Sequence, residues 1–547
     1  LIAIRLYFLQ IKATDCFYFN KGACKENILK EAKKRQIHLE KIIAQRGVIY
    51  DRNKDILAMS LPIKTLCINP SKLYKDNNRD IIQLSKILNI SKKNLKKIIY
   101  KHRNKKEYYL KRHISKNYYL KIKELNNPYI YFINENKRTY LGGKAFSNVI
   151  GFTNIDDKGQ EGIEYVKDDL LSPVNGLKKV KKDNIGRSIE TIKIIKQPNS
   201  GKNIILTLDK RIQIIAYEVL RKYIDKFNAD SGSIALVEAN TGNILSMVNY
   251  PSFDPEKRNT YTGYKIKNRV IYDLIEPGST IKPLIVYAGL HEGVISESSV
   301  IDTAPGVIKL ENEEIKDWKY LGKVTPRDIV RLSSNIGAAK ISSKLTKKKL
   351  IESLDKLGFG QSLFLNLPGS KTGSLPVASN LSHSGHLSLG YGYGLSTSLM
   401  HLVSAYTILA NHGNRIQLNY LSNIENNNYK KEKILDKKNS IIVLDMMKDV
   451  VHSKDGTGRK ARVNGYTVYG KTGTVRQIVN SKYAKNRHNA LFIGILGDPS
   501  PEYVAAVIIR NPKNREGSGG IHAAPVFSEF MQHSMRIIND TTYATRK

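Results

Sequence analysis

Near the C-terminus three runs rich in β-branched and aromatic residues follow one another: GYTVYGKTGTV (465–475), ALFIGILGD (490–498) and EYVAAVIIR (502–510). Parallel strands need a long crossover, so strands at this short spacing are expected to be antiparallel neighbours. Far upstream, SGSIALVEANTGNILSMVNYPSF (231–253) reads as a hairpin, with two apolar runs flanking the turn cluster Ala239-Asn-Thr-Gly242. Between these β segments lie stretches with apolar residues at helical spacing, at 206–227, 345–359 and 396–413. Strands, then helices, then strands fit an α+β class, with an antiparallel sheet covered by helices.

The remainder of the chain has a different character. Residues 12–205 are rich in Lys, Asn and Tyr, with short apolar runs and many turns. Residues 46–53 (RGVIYDRN) and 150–165 (IGFTNIDDKGQEGIEY) read as strands and turns, and 90–102 (ISKKNLKKIIYKH) as a basic helix. No chemistry announces itself there, so this region is expected to bind or to scaffold. At 547 residues the chain is long enough for two to four domains. With 89 basic against 49 acidic residues it carries a formal charge of +40. A nucleic-acid partner, an anionic membrane or polymer, and a simple coding bias toward Lys, Ile, Asn and Tyr all produce such a balance. The basic residues are spread along the chain and form no single stripe, which favours coding bias. Cys16, Cys24 and Cys67 have neither metal-ligand spacing nor a disulfide framework. The opening LIAIRLYFLQI (1–11) is apolar but too short to span a bilayer, which takes about 20 residues. It reads either as a short buried segment or as the tail of a membrane anchor.

The chemistry-bearing segment is IEPGSTIKP (275–283). The first turn of a helix has unpaired N–H groups, so a proline is tolerated there, and a glycine lets the chain enter sharply. A helix starting near Ser279 would bring Ser279 and Lys282 to one face, since residues i and i+3 are surface neighbours. A serine hydroxyl needs a base to become a nucleophile. A buried lysine beside a second cation would be neutral enough to supply it. The spelling Ser-x-x-Lys recurs at Ser353–Lys356, within a plain amphipathic segment.

Two further motifs supply partners. In RLSSNIGAAK (331–340), Ser333 could relay the proton to a leaving amine and Asn335 could hold a substrate amide; helix capping by Ser and Asn explains the same spelling. Ser115-Lys116-Asn117 has the same pattern in the basic region. Lys-Thr-Gly occurs at 371–373, in a loop bounded by proline and glycine, and at 471–473, within a strand pattern. A strand edge offers its backbone to an extended peptide, and glycine allows close approach. There Lys471 and Thr472 could grip a carboxylate, with Gly473 giving access. The N–H groups of Ser279 and Thr474 could form an oxyanion hole. Lys471 would also be the cation that keeps Lys282 neutral. Residues 465–472 fit a P-loop spelling too, but Tyr-Thr-Val-Tyr is strand-forming and no helix follows.

Ser-x-x-Lys, Ser-x-Asn and Lys-Thr-Gly in this order resemble the penicillin-binding proteins and serine β-lactamases. Residues 45–60, 158–171, 230–247, 390–398 and 520–527 are similar to class B penicillin-binding proteins, and EPGSTIKP, KDWKYLGKVTPRDIVRLSSN and GYGYGLS to their division-specific type. The elongation-specific type is the alternative, as is a β-lactam sensor or scaffold of the same fold. The resemblance implies an anchor ending in residues 1–11, a pedestal over 12–205, a transpeptidase domain over 206–540 and a tail over 541–547. It implies attack by Ser279 on the bond between two terminal D-alanines, with Lys282 as base and Lys471 and Thr472 on the carboxylate. Peptidoglycan stem peptides would be substrates and β-lactams inhibitors. Division proteins, including a glycosyltransferase, would be partners, with the catalytic domain in the periplasm and the anchor in the inner membrane. No cofactor, metal or nucleic acid is implied. The deacylating glutamate of class A β-lactamases has no counterpart, since Ser362 stands where the Leu365-Asn366 pair would place it.

Overall fold

The computed structural model describes residues 36–75, 78–182, 188–310, 314–422, 431–479, 482–497, 500–513 and 518–545. The segment 1–11, Cys16 and Cys24 lie outside them. Among the described residues no helix is long and apolar enough to cross a membrane.

The N-terminal half is built on a mixed sheet. Its longest strand, Ile56–Ile68, pairs antiparallel with Ile130–Tyr140 along its whole inner length and with Tyr108–Ile114 on its other side. The helices Asn78–Leu88, Lys92–Lys101 and Lys116–Lys123 pack over one end, around their own core of Leu66, Leu84, Leu95 and Ile99. The expected basic helix is therefore present, with Leu95 and Ile99 on its inner face and its lysines outside. Cys67 is buried and free. A separate three-stranded antiparallel sheet combines Ile37–Ile42, Gly176–Lys182 and Ser188–Lys196.

The expectation of strands and turns over 150–165 needs correction. Its β pairing is a single bridge between Thr153 and Gly159, and Gly162–Val166 is helical. The reason is electrostatic. Glu164, fully buried, accepts from Arg46 Nε at 2.8 Å and Arg138 Nε at 2.7 Å, and Arg46 also reaches Asp168 at 2.6 Å. A buried charge persists only when paired, and this pairing dictates the local backbone.

The C-terminal half carries the five-stranded antiparallel sheet. Its strands are β1 (Ser231–Glu238), β2 (Ile244–Tyr250), β3 (Thr467–Val479), β4 (Lys482–Gly497) and β5 (Pro501–Arg510), in spatial order β2-β1-β5-β4-β3. The hairpin and the three C-terminal strands are as expected. β5 joins them by pairing with β1, from Tyr503 opposite Glu238 to Arg510 opposite Ser231. β1 and β5 are buried almost throughout because helices cover both faces, which is why they read as unbroken apolar runs. One covering layer is α1 (Lys210–Lys226), capped by Asp209, with the C-terminal helix. The other includes Leu399–Ala410. The C-terminal helix, Ala524–Thr545, crosses the boundary expected at residue 540.

The two halves share a continuous core, in which Ile49, Leu57, Phe146 and Leu171 join the apolar residues of the sheet and its helices. Ile204–Ile205 pairs parallel with Ile49–Tyr50 just before α1 begins. β3 is one edge of the large sheet, and the turn over Gly278–Ile281 and the helix Lys437–His452 pack against it.

Candidate active site

The Ser279 segment forms a 3₁₀ turn over Gly278–Ile281 that runs into α2 (Lys282–His291), with Pro283 in its first turn. The α-helix thus begins three residues later than expected. Ser279 lies in the 3₁₀ turn and Lys282 opens α2, so the three-residue offset between them spans the junction of the two, where a 3₁₀ turn stacks i over i+3. Gly278 has φ +54°, a left-handed conformation that favours glycine. Its N–H donates to Gly392 O at 3.0 Å, and a Cβ on Gly392 would stand 2.1 Å from Gly278 O. Behind the turn, the buried Tyr406 hydroxyl donates to Thr280 O at 2.6 Å. In front, Glu276 accepts from the Gly394 N–H and the Tyr483 hydroxyl.

Lys282 is completely buried, while Ser279 is half-buried. The Lys282 amine donates to Ser333 O at 2.6 Å, Asn335 Oδ1 at 2.7 Å and Ser333 Oγ at 3.2 Å. Ser333 ends α3 (Pro326–Leu332) and stands just before α4 (Asn335–Lys344). It lies at φ +63°, ψ +43°, a left-handed backbone that is costly for a residue with a Cβ. That kink lets one residue offer both its carbonyl and its hydroxyl to the same amine.

Ser334 takes the capping role. Its hydroxyl accepts from the Gly337 N–H at 2.9 Å and donates to Asp317 Oδ2 at 2.7 Å. Asp317 also accepts the Asn335 and Ile336 N–H groups, so a carboxylate sits at the positive end of α4. Asn335 turns its amide N–H to Lys316 O at 2.8 Å, which aims its carbonyl at Lys282. The Trp318 indole N–H donates to Leu332 O and pins this loop to the end of α3.

On β3, the buried Lys471 amine donates to Ser333 Oγ at 2.9 Å. The Thr472 hydroxyl donates to Thr457 Oγ1 at 3.0 Å, and the Gly519 N–H donates to Thr474 Oγ1 at 3.1 Å. A Cβ on Gly473 would meet Thr280 Cγ2 at 2.9 Å, so glycine here lets the sheet edge lie against the serine turn. A Cβ on Gly278 would stand 3.7 Å from Thr474 O, which puts those two backbones side by side.

Burial pushes the Lys282 amine well below its ordinary range. The Lys471 charge adds to that effect and Asp317 opposes it. Burial also brings Lys471 down, to about 7. The cation expected to neutralise Lys282 is therefore itself close to titrating, and removal from water contributes more than repulsion.

Of the expected residues, Lys282, Ser333, Asn335 and Lys471 make direct contact, with Thr472, Gly473 and Thr474 along the same strand edge. The repeated spellings fall elsewhere. Ser353 bonds the carbonyl of Lys349 on an exposed helix, Ser115 caps a helix of the N-terminal half, and Lys371 sits in a loop over Tyr272. The P-loop spelling is an extended strand. Sequence reasoning missed Thr457 and Asp317. The first has a local signal, a threonine between two glycines at 456–458; the second lies in the KDWKYLG stretch (316–322) with nothing to mark it as a cap.

The model of the penicillin-binding protein transpeptidase domain matches residues 232–532, and that of the penicillin-binding protein dimerisation domain matches residues 41–206. The chain belongs to the penicillin-binding protein transpeptidase family. Among the relatives of this penicillin-binding protein, the peptidoglycan D,D-transpeptidase FtsI of Buchnera aphidicola subsp. Schizaphis graminum is 34% identical, over 97% of this chain and 91% of its own. FtsI of Escherichia coli K12 is 30% identical, over 94% and 87%. A solved structure of the transpeptidase domain of penicillin-binding protein 3 from Burkholderia pseudomallei superposes with a TM-score of 0.56 at 31% identity, covering 61% of this chain and 96% of that one. The fold extends further to the Mycobacterium tuberculosis penicillin-binding protein 3 solved with aztreonam, with a TM-score of 0.69 at 24% identity, over 91% and 97%.

Proposed function

We propose that this penicillin-binding protein is a peptidoglycan D,D-transpeptidase acting through a Ser279 acyl-enzyme. The observation that carries this is the pair of buried amines, Lys282 and Lys471, converging on Ser333 Oγ beside the serine turn. Ser279 Oγ attacks the carbonyl between the two terminal D-alanines of a stem peptide, and Lys282 takes its proton. Lys471 and Thr472 hold the terminal carboxylate, and the Ser279 and Thr474 N–H groups receive the developing oxyanion. The proton reaches the leaving amine through Ser333, and D-alanine departs. An amine from a second stem then resolves the ester, Lys282 acting again as base. None of these steps calls for a cofactor or a metal. β-Lactams would acylate Ser279 and remain.

Relatives named FtsI, together with the motif resemblance, favour a septal role over lateral-wall elongation. The same reading puts the anchor in the inner membrane, the catalytic half in the periplasm, and a glycosyltransferase among the division partners. Incubation with a labelled penicillin, followed by peptide mapping, tests the chemistry. A stable adduct on Ser279 that survives Ser353→Ala and is lost in Ser279→Ala is expected. No adduct on folded wild type would overturn the mechanism. Release of D-alanine with formation of a crosslinked dimer from isolated stem peptides would separate a transpeptidase from a β-lactam-binding scaffold.

A further inference from the structure

A cavity of about 440 Å³ opens beside the Lys471–Thr472 strand edge. Thr457 forms the wall between them, since its hydroxyl accepts the Thr472 hydrogen bond and it also lines the cavity. Gly520 closes that wall; a Cβ there would stand 2.3 Å from Thr457 O and 3.7 Å from Thr472 Cγ2. Among the described residues the lining includes Arg459, Lys460 and Arg462 and no carboxylate. Arg462 is held by the carbonyls of Val451 and His452, at 3.0 and 2.8 Å. Arg459 and Lys460 are exposed and form no ion pair among the described residues. The nearby Asp455 is already paired with Arg331.

The donor peptide of the proposed reaction has no use for this space, because its chain ends at the carboxylate held by Lys471 and Thr472. The second substrate differs. Its amine must approach the acyl carbonyl along the path by which the D-alanine amine left, so its body enters on the leaving-group side. The cavity lies across Thr457 from the Thr472 side chain, on the side where the carboxylate of the departing D-alanine would be held. From this juxtaposition we infer that the Arg459–Lys460–Arg462 cavity is the acceptor subsite, holding carboxylates of an anionic, amine-bearing stem peptide; this rests on the transpeptidase reading. In the step it serves, the acceptor nitrogen bonds to the acyl carbon and passes a proton to Lys282. The bond to Ser279 Oγ breaks, and Lys282 returns that proton to the serine.

The test uses the whole chain, an acyl-D-alanyl thioester as donor, and two acceptors: D-alanine, which ends at the Thr472 carboxylate site, and a stem peptide with further free carboxylates. The variants are Arg459→Glu with Lys460→Glu, and Arg459→Gln with Lys460→Gln; penicillin uptake on Ser279 reports that each is folded. Transfer to the stem peptide should fall at least about tenfold in the charge-reversed variant, with a raised KM for that acceptor. Transfer to D-alanine and the rate of penicillin uptake should stay within about twofold. If the charge-reversed protein takes up no penicillin, the glutamine variant is read instead, with a smaller loss in the same direction. Unchanged transfer to the stem peptide, or an equal loss with both acceptors, would overturn the subsite. So would a wild type that takes up penicillin but transfers nothing to the stem peptide. Failure of wild type to take up penicillin at all would instead overturn the transpeptidase reading.

Discussion

Lys282 and Lys471 meet on one oxygen: their amines lie 3.2 and 2.9 Å from Ser333 Oγ. Two amines converging in a buried site resist being charged together, and their titrations belong to the pair. Both are depressed, Lys282 well below its usual range and Lys471 to about 7. The sign for catalysis follows directly. Raising the pH through these depressed values frees the base, so acylation by penicillin rises with pH on its acid limb.

Removing the Lys471 charge relieves repulsion on protonated Lys282 and raises its pKa. Lys471→Ala should therefore move the acid limb of the acylation profile to higher pH, apart from any loss in plateau rate. Asp317 acts with the opposite sign, since its carboxylate raises the Lys282 pKa. Asp317→Asn should move the same limb to lower pH. It should also cost about 1–3 kcal/mol of stability, because Ser334 Oγ and the first N–H groups of α4 lose a charged acceptor. Stopped-flow acylation across pH, with denaturant unfolding alongside, measures both effects.

Ser333 separates chemistry from strain. Its hydroxyl links the two amines, while its backbone sits in the left-handed region. Ser333→Ala and Ser333→Gly both remove the hydroxyl, and acylation or deacylation should fall about 100- to 10,000-fold in each. The glycine variant should be about 1–2 kcal/mol more stable than the alanine variant, because it escapes the Cβ penalty. Equal stabilities would mean that the kink is not strained.

Gly392 tests how closely the serine turn must be seated. At φ +91°, with a Cβ that would meet Gly278 O at 2.1 Å, Gly392→Ala must push the turn out of its seat against Gly392. A displacement of this kind can cost about 100-fold in rate. Acylation should fall by that order while the circular dichroism of the protein stays unchanged.

Glu164 provides a contrast in the N-terminal half. Glu164→Gln leaves the buried Arg46 and Arg138 without their shared carboxylate. The expected loss is about 3–5 kcal/mol, read as a lower unfolding midpoint. Penicillin acylation of the protein that remains folded should match wild type, since Glu164 touches no residue of the site.

Much of the sheet was legible because its signals are local. The hairpin over 231–253 and the three C-terminal strands follow from β-branched runs and turn residues, and Lys210–Lys226 follows from apolar spacing after Asp209. The helix at Gly162–Val166 was not legible, since its conformation answers to two arginines 118 and 26 residues away. The choice among repeated motifs was legible in part. Strand context favours Lys471-Thr472-Gly473 over Lys371-Thr372-Gly373, but nothing near Ser333 tells that Ser334 alone would do the capping.

The amino-acid sequence by itself determined the order and type of the main elements, the three-residue offset from Ser279 to Lys282, and the strand that carries Lys471. These rest on steric preference and periodicity, which act between near neighbours. Only the tertiary structure decided that Lys282 and Lys471 are buried, that both reach Ser333 across 51 and 138 residues, and that Asp317 caps α4. Depressed amine pKa values are produced by whatever surrounds the amine in space, and those surroundings come from segments that no local pattern connects.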